Sequence, residues 1–415
     1  MTFPRLAPQR NLDKREIAKF ERRFCMYDRN IVQAFETSEY RARLDKVRAL
    51  MSSAGMDALV VISQANQCYL LGYNSLSGDE PQAALVTLHN DPYFILRKMD
   101  ANAAVEAGCW LPQDRIIAYP ESYVGGEASA WDVIGQFVKD KVGASARLGV
   151  EVSGLGVFSY PRLVAALGGE EPIDASDLVG SCRLVKSERE LLYMKEAAAI
   201  GDRAMLAGID KVAVGVRHCE VGAAIMSALC AGTESIHGGP PVSPPYIRGG
   251  MLAIAPHQFW IDEVFAAGQQ YYVGPITGTR HRYVAPLTRT VHLGPVPPRR
   301  QNQHEGVLAG HRAALDALRP GATCADVARA FQAAIRPYGL TKDSRLGYSV
   351  GLDWTDGPSL GTNNDTEILA NMTFLVHLGF YEPGEFYFLS DTVRVTESGA
   401  EPLSNVPRIL FERPA

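Results

Sequence analysis

The sequence lacks the features that mark several protein classes. Its seven cysteines include no CxxC pair, which argues against a structural zinc site or a disulfide framework. The N-terminal stretch has no apolar core of a secretory signal, and no run of about 18 apolar residues predicts a membrane-spanning helix. A formal net charge of −5 with scattered basic residues gives no electrostatic reason to expect nucleic acid or an anionic membrane. We therefore expect a cytoplasmic protein whose partners are small molecules or proteins.

Length and composition predict two domains. The 415 residues are 47% hydrophobic and 21% charged, as in an average globular protein. Residues 1–38 form a polar, basic extension. In 39–182, short β-rich runs alternate with helical patterns, which favours an α/β domain. In 183–415, long helical patterns combine with turn-rich strands, which indicates a mixed α+β domain with antiparallel pairing.

Capping residues and apolar spacing place the main elements. Ser187 and Glu190 form a capping box that predicts the start of a long helix. Apolar residues between Val327 and Tyr338 predict a second helix that begins at Thr323. The first half contains two helical patterns and four β-rich runs, at residues 40–55, 131–142, 58–62, 83–88, 93–96 and 148–152.

Four segments of the second half together resemble a known family. They are RLVKSERE at 183–190, APLTRTVHLG at 285–294, GYSVGLDW at 347–354, and MTFLVHLGF with SDTVRVT between 372 and 396. In this order they resemble the creatinase/prolidase family, which includes methionine aminopeptidases. The resemblance implies a creatinase-like α/β N-terminal domain, a C-terminal catalytic domain with the pita-bread fold, and a homodimer.

The metal positions of that family carry unsuitable side chains here. The resemblance implies two Asp, one His and two Glu that hold two ions, which generate a hydroxide and polarise the scissile carbonyl. Proline offers no side-chain donor, so we expect no metal, and we expect no other cofactor. The five matching positions are Pro275, Pro286, Tyr348, His377 and Ser390.

The chain is more similar to the metal-free branch of the family, and to its ectoine hydrolases more than to its creatinases. The similar stretches are LRKMDANAA at 96–104, AIAPHQFW at 253–260, RYVAPLTRTVHLG at 282–294 and GYSVG at 347–351. In creatinases a histidine of an Ala-His-Asn-Pro stretch moves the proton, and His257 stands at the matching place. The acidic residues that these metal-free enzymes use are replaced by Pro275, Thr288 and His377.

The candidate catalytic residues are His257, His377 and Tyr348. Histidine titrates near neutral pH, so His257 would activate water and then protonate a leaving nitrogen. His377 would share the acid and base roles, and the Tyr348 hydroxyl would stabilise an oxyanion. Each also has a structural interpretation: a hydrogen-bonded loop histidine, a core histidine, and a ring that fills the volume of the missing ions.

The candidate substrate-binding residues come from both halves. Arg97 would bind a carboxylate in the dimer that the resemblance implies, or lie in a charged loop. Trp260 would shape a pocket for a compact cationic ring. Ser390 would donate a hydrogen bond into the cavity, and Asp391 would pair with a histidine or end a strand.

The main hypothesis is a metal-independent hydrolase of a non-peptide C–N bond in a small compatible-solute or amidine- or guanidine-like molecule. One alternative is a lyase that acts on a small zwitterion. Another is a pseudoenzyme that binds a ligand or a protein. An open, polar-lined cavity that holds His257 and His377 would favour an enzyme, whereas a cavity filled by side chains would favour the pseudoenzyme.

Overall fold

The computed structural model describes most of the chain beyond the N-terminal extension. The described ranges are 33–75, 80–102, 104–124, 129–250, 253, 255, 257–382 and 385–415. They divide into two compact units. One unit contains the chain up to residue 149 together with 155–172, and the other contains 150–154 and 173–415.

The first unit is built of short strands and helices, as its sequence pattern predicts. Neighbouring strands follow the order β4-β3-β2-β1-β5, with the bounds β1 Ala58–Val61, β2 Ala83–Thr87, β3 Tyr93–Arg97, β4 Ile116–Tyr119 and β5 Leu148–Val150. The helices are α1 Thr37–Ser53, α2 Gln64–Leu71, α3 Lys98–Asn102, α4 Ala130–Val142 and α5 Ser159–Leu167. Short 3₁₀ turns occur at Gln113–Arg115 and Glu121–Tyr123.

The buried face of helix α1 differs by one residue from the face that the apolar spacing predicts. The sequence has Leu44, Val47 and Leu50 at helix spacing, which predicts one apolar face; Leu44 and Val47 are buried, whereas Leu50 is 40% exposed. Met51 is buried at the end of the same face instead, because the helical period of 3.6 residues brings residue 51, and not 50, in line with 44 and 47. Gly55 follows the helix with φ 65°, the left-handed conformation that ends many helices.

The second unit is mixed α+β, and its strands are almost all antiparallel. Its helices are α6 Leu178–Arg183, α7 Glu188–Lys211, α8 His218–Ala231, α9 Pro298–Ala317 and α10 Cys324–Ile335, with 3₁₀ turns at Val152–Gly154 and Arg336–Tyr338. Its strands are β6 Ile173–Asp174, β7 Ile247–Gly249, β8 Gln270–Arg280, β9 Tyr283–Leu293, β10 Gly347–Ser349, β11 Ser359–Leu360, β12 Thr373–Glu382, β13 Glu385–Val395, β14 Ala400–Pro402 and β15 Phe411–Arg413.

A nine-stranded sheet organises this unit. Its main path is β11-β10-β12-β13-β9-β8-β7, while β14 pairs with β13 and β15 pairs in parallel with β9. The predicted capping box is confirmed, since Ser187 Oγ accepts from Glu190 N. The second helix has a capping box as well, in which Thr323 Oγ1 accepts from Asp326 N. Each cap sets the first residue of a helix that packs on the sheet.

Two apolar clusters attach the helices to the strands. Residues of α7 and α8, such as Ala204 and Ile225, pack with Val273 and Leu287 of β8 and β9. A second cluster joins α9 and α10 to the odd-numbered residues of β13 and the even-numbered residues of β12. Because successive strand residues face opposite sides, His377 of β12 and Phe388 of β13 face away from this cluster, toward a cavity. No helix of the described ranges is long and apolar enough to cross a membrane.

Candidate active site

A cavity of about 220 Å³ lies against strands β8, β9, β10, β12 and β13. The three predicted catalytic residues, His257, His377 and Tyr348, all line it. Its wall is completed by aromatic rings and by a loop that carries Lys342 and Arg345. The cavity is therefore not filled by side chains, and the structure brings the three predicted residues together.

A row of polar side chains crosses three neighbouring strands at the cavity wall. His377 of β12 lies opposite Ser390 of β13, which lies opposite Thr288 of β9. His377 Nδ1, Ser390 Oγ and Thr288 Oγ1 are buried and have no hydrogen-bond partner among the described residues. Unpartnered buried polar atoms are destabilising and rare in folded proteins. These atoms are therefore suited to bind a water molecule or a substrate group.

The environment of His377 keeps its imidazole neutral. Burial disfavours the charged ring, and the cations of Lys342 and Arg345, with His257, add repulsion. Together they lower the pKa of His377 to about 3. At neutral pH this side chain therefore offers one N–H donor and one nitrogen acceptor, and it is a weak base. His257, by contrast, is solvent-exposed at the cavity.

Tyr348 is arranged as a hydrogen-bond donor. The indole Nε1 of Trp354 donates to Tyr348 Oη at 2.6 Å, and the Arg345 guanidinium lies 4.3 Å from the centre of the phenol ring. Burial raises the pKa of Tyr348 above its ordinary value, so the phenol stays protonated at neutral pH. Because its oxygen already accepts from Trp354, the O–H proton remains available for a group in the cavity.

Lys342 is the cavity residue that the sequence did not reveal. Its side chain is only 9% exposed, and Nζ donates to the Gly379 carbonyl at 2.7 Å and to Ser344 Oγ at 3.0 Å. Burial lowers the pKa of Lys342 to about 8, and no ion pair joins it to a described carboxylate. In the sequence it stands in a polar turn, and its closeness to the GYSVG stretch was the only available signal.

Asp391 is placed away from the cavity, on the opposite face of β13 from Ser390. Arg289 Nη2 donates to its Oδ1 at 2.8 Å and Arg408 Nε donates to its Oδ2 at 2.7 Å. His311 Nε2 lies 3.3 Å from Oδ2. Burial opposes ionisation, but the charge of Arg289, with His311 and Arg408, lowers the pKa of Asp391 to about 2. The carboxylate holds the fold and is not available to a substrate.

The other predicted binding residues also differ in their positions. Ser390 is buried between two cavity residues and does not itself line the cavity. Trp260 packs against α8, where a Cβ at Gly222 would lie 3.0 Å from its ring, so the indole serves the core and not the cavity. Arg97 belongs to the first unit and forms an ion pair with Asp100.

The side chains at the five positions do not fit a dinuclear metal centre. Pro275 lines the cavity without a donor atom, and the described residues contain no group of three or more His, Cys, Asp or Glu that could hold a metal ion. The buried ammonium of Lys342 adds a positive charge to the same cavity, which opposes cation binding. No step of the chemistry is therefore derived through a metal.

Comparisons with known proteins agree with this fold. Residues 193–397 match metallopeptidase family M24, and residues 43–185 match the creatinase/prolidase N-terminal domain. An uncharacterized hydrolase/peptidase of Sinorhizobium fredii is 35% identical over 91% of this chain and 97% of its own length. The ectoine hydrolase of Halomonas elongata is 31% identical over 91% of this chain and 98% of its own.

A solved structure shows the same architecture. The dipeptidase PepE from Mycobacterium ulcerans superposes with a TM-score of 0.77 at 26% identity, covering 92% of this chain and all of that one. The predicted fold, a creatinase-like N-terminal domain followed by a pita-bread domain, is thereby confirmed. The chain belongs to the creatinase/prolidase family of M24-type hydrolases.

Proposed function

We propose that this chain hydrolyses a non-peptide C–N bond in a small molecule without a metal ion. The observation that carries the proposal is a single open cavity that holds His257, His377 and Tyr348, while the metal-ligand positions of the family carry unsuitable side chains. The similarity to an ectoine hydrolase supports it. Other relatives are dipeptidases, but this cavity lacks the donors of a dinuclear centre.

The geometry supports a proton-shuttle mechanism. His257 takes a proton from a water molecule as the water oxygen bonds to the electrophilic carbon. Tyr348 donates a hydrogen bond to the atom of the substrate that gains negative charge. The C–N bond then breaks, and His257 returns its proton to the leaving nitrogen. His377, which is neutral, orients the water through its unpartnered Nδ1.

The charges of the cavity favour a substrate that carries a carboxylate. Lys342 and Arg345 both line it, and no described Asp or Glu does. A volume of about 220 Å³ is below the range of typical drug-sized sites, which starts at roughly 300 Å³. Ectoines and creatine-like guanidines combine small size, a carboxylate and a cleavable C–N bond, and we propose them as the first substrates to test.

The open cavity also favours an enzyme over a pseudoenzyme. Side chains have not filled the space, and the lining residues His377 and Thr288 each carry a buried polar atom with no hydrogen-bond partner among the described residues. Lyase activity is the alternative enzymatic function, since the same histidine base would also support elimination. Hydrolysis transfers an oxygen from water to the product, whereas elimination does not.

The test is a turnover assay in ¹⁸O-labelled water. Ectoines, creatine-like guanidines, betaines and Xaa-Pro dipeptides are screened, and each product is analysed by mass spectrometry. We expect a carboxylate-bearing non-peptide compound to be cleaved with one labelled oxygen in the product. An unlabelled product would establish the lyase, and cleavage of dipeptides alone would contradict the proposal.

His257 is then examined in the same assay. His257→Ala should lower kcat by about 100-fold or more, which is the usual contribution of a general base, without a change in Tm. The control is His89→Ala, at an exposed histidine of the first unit, which should keep full activity. Equal activity of both variants would show that His257 is not the proton shuttle.

A further inference from the structure

A second cavity lies on the other side of strand β8. It has a volume of about 300 Å³ and is lined by residues of α8, β7 and β8. Tyr271 lines it, whereas the next residue, Tyr272, lines the active-site cavity. Because consecutive strand residues face opposite sides, one strand separates the two cavities.

The second cavity is lined by His218, a buried histidine whose ring nitrogens have no hydrogen-bond partner among the described residues. It is the first residue of α8 and only 2% exposed. Its ring packs 4.5 Å from Phe265 and 5.5 Å from Tyr271, measured between ring centres. Neither ring nitrogen has a hydrogen-bond partner among the described residues. Packing thus explains the ring, but it does not explain the two nitrogens.

Arg248 brings a buried positive charge to the same cavity. Its side chain is 3% exposed, and its described hydrogen bonds run only to Gln258, from Nε to the carbonyl oxygen at 3.3 Å and from Nη2 to Oε1 at 2.9 Å. Within the described residues it forms no ion pair. A buried guanidinium without a carboxylate is destabilised by the loss of its hydration, so an anionic ligand would relieve this charge.

We propose that this second cavity binds a small amino-carboxylate. Arg248 and one nitrogen of His218 donate to the carboxylate, in the manner of charge-assisted hydrogen bonds. Tyr271 Oη accepts from Ala266 N, so its proton is also free to donate. The exposed Glu263 lines the cavity as well, and its carboxylate attracts the ammonium group of the ligand while it disfavours a doubly charged phosphate.

The backbone links a residue bound by Arg248 to the active site. Gln258, which Arg248 holds with two hydrogen bonds, directly follows His257 in the chain. A carboxylate that binds Arg248 competes with these bonds or tightens them, and either change moves the His257 segment. Arg248 is thus a positioning residue for His257, and the second cavity is an effector site.

The decisive variant is His218→Phe. It keeps the aromatic packing against Phe265 and Tyr271 and removes only the two unpartnered nitrogens, so its Tm should equal or exceed that of the parent. Glycine, acetate and inorganic phosphate are titrated by calorimetry into the parent and into His218→Phe, with His89→Phe as the matched control. The parent and His218→Phe are also prepared with Lys342→Met, which weakens anion binding in the active-site cavity.

We expect glycine to bind more tightly than acetate, and phosphate to bind weakest. His218→Phe should weaken glycine by about tenfold, as expected for the loss of a charge-assisted hydrogen bond, and His89→Phe should leave it unchanged. Glycine should also shift the imidazole NMR signals of His257. The proposal is overturned if glycine binds the parent and His218→Phe equally, or if only phosphate binds. It is also overturned if glycine leaves the His257 signals unchanged, or if His218→Phe lowers Tm. None of these measurements requires turnover, so they fail or succeed independently of the proposed hydrolase activity.

Discussion

The two faces of strand β13 differ in how their polar groups are satisfied. On one face, Ser390 Oγ has no hydrogen-bond partner among the described residues, and neither do the neighbouring atoms of His377 and Thr288. On the other face, Asp391 is bound by Arg289 and Arg408. Both residues are fully buried, so burial alone does not distinguish them. The difference indicates which polar groups serve a ligand and which serve the fold.

Asp391→Ala should have the largest effect on stability. It leaves the buried Arg289 guanidinium without its counter-charge, and breaking a buried ion pair in this way typically destabilises by about 3–5 kcal/mol. Ser390→Ala is the matched variant on the opposite face and should change the free energy of unfolding by less than about 1 kcal/mol. Urea denaturation of both variants measures the contrast, and equal losses would remove the distinction between the two faces.

Tyr348→Phe should lower kcat by about 100-fold, the usual effect of losing one donor to a developing negative charge. The fold should be preserved, because the phenyl ring keeps the contact with Arg345. Trp354→Phe tests the arrangement more finely: it removes the indole donor but leaves the Tyr348 hydroxyl, so its effect on kcat should be smaller. Steady-state kinetics on the accepted substrate gives both values. If Trp354→Phe were the more damaging variant, Tyr348 would not be the donor.

Lys342 should make substrate binding depend on pH. Its pKa is lowered to about 8 by burial, so the ammonium loses its proton as the pH rises through that value, and KM for a carboxylate substrate should increase there. Lys342→Met should raise KM by about tenfold at pH 7, and Lys342→Arg should remove the rise near pH 8, since guanidinium stays charged. An unchanged KM profile in Lys342→Arg would assign the titration to another group.

Thr288→Val should have the smallest effect. The substitution keeps the branched shape and removes a buried hydroxyl that has no partner among the described residues. Replacing such a group by an apolar one is neutral or stabilising, so Tm should stay the same or rise. Loss of activity at unchanged Tm would show that the hydroxyl serves the substrate. A clear fall in Tm would instead mean that Thr288 supports the fold as Asp391 does.

The fold was predictable because its signals are local or ordered along the chain. The capping box at Ser187 and the apolar spacing after Thr323 predicted two helix starts, and alternating β-rich runs indicated the first unit. Segments such as APLTRTVHLG and GYSVGLDW appear in the order of the family. The misjudged Leu50 shows the limit of spacing: one residue along a helix turns the side chain by about 100°, enough to move it out of the core.

The site was only partly predictable. His257, His377 and Tyr348 stand at family positions, and they meet at one cavity. Asp391 pairs with a histidine, as one interpretation of it expected, but it does not bind in the cavity. A signal for this was present, because two consecutive strand residues cannot face the same cavity. For Lys342 the only signal was its closeness to the GYSVG stretch. Its burial and its bonds to Gly379 and Ser344 arise from tertiary packing, which a polar turn in the sequence does not reveal.

The most direct test of the metal-free account is the metal content of the purified, active protein. Elemental mass spectrometry should find far less than one transition-metal ion per chain, and the substrate turnover of that same sample should be insensitive to chelators. Two tightly bound ions per chain, lost together with activity on chelation, would contradict the account and place this chain with the metal-dependent members of its family.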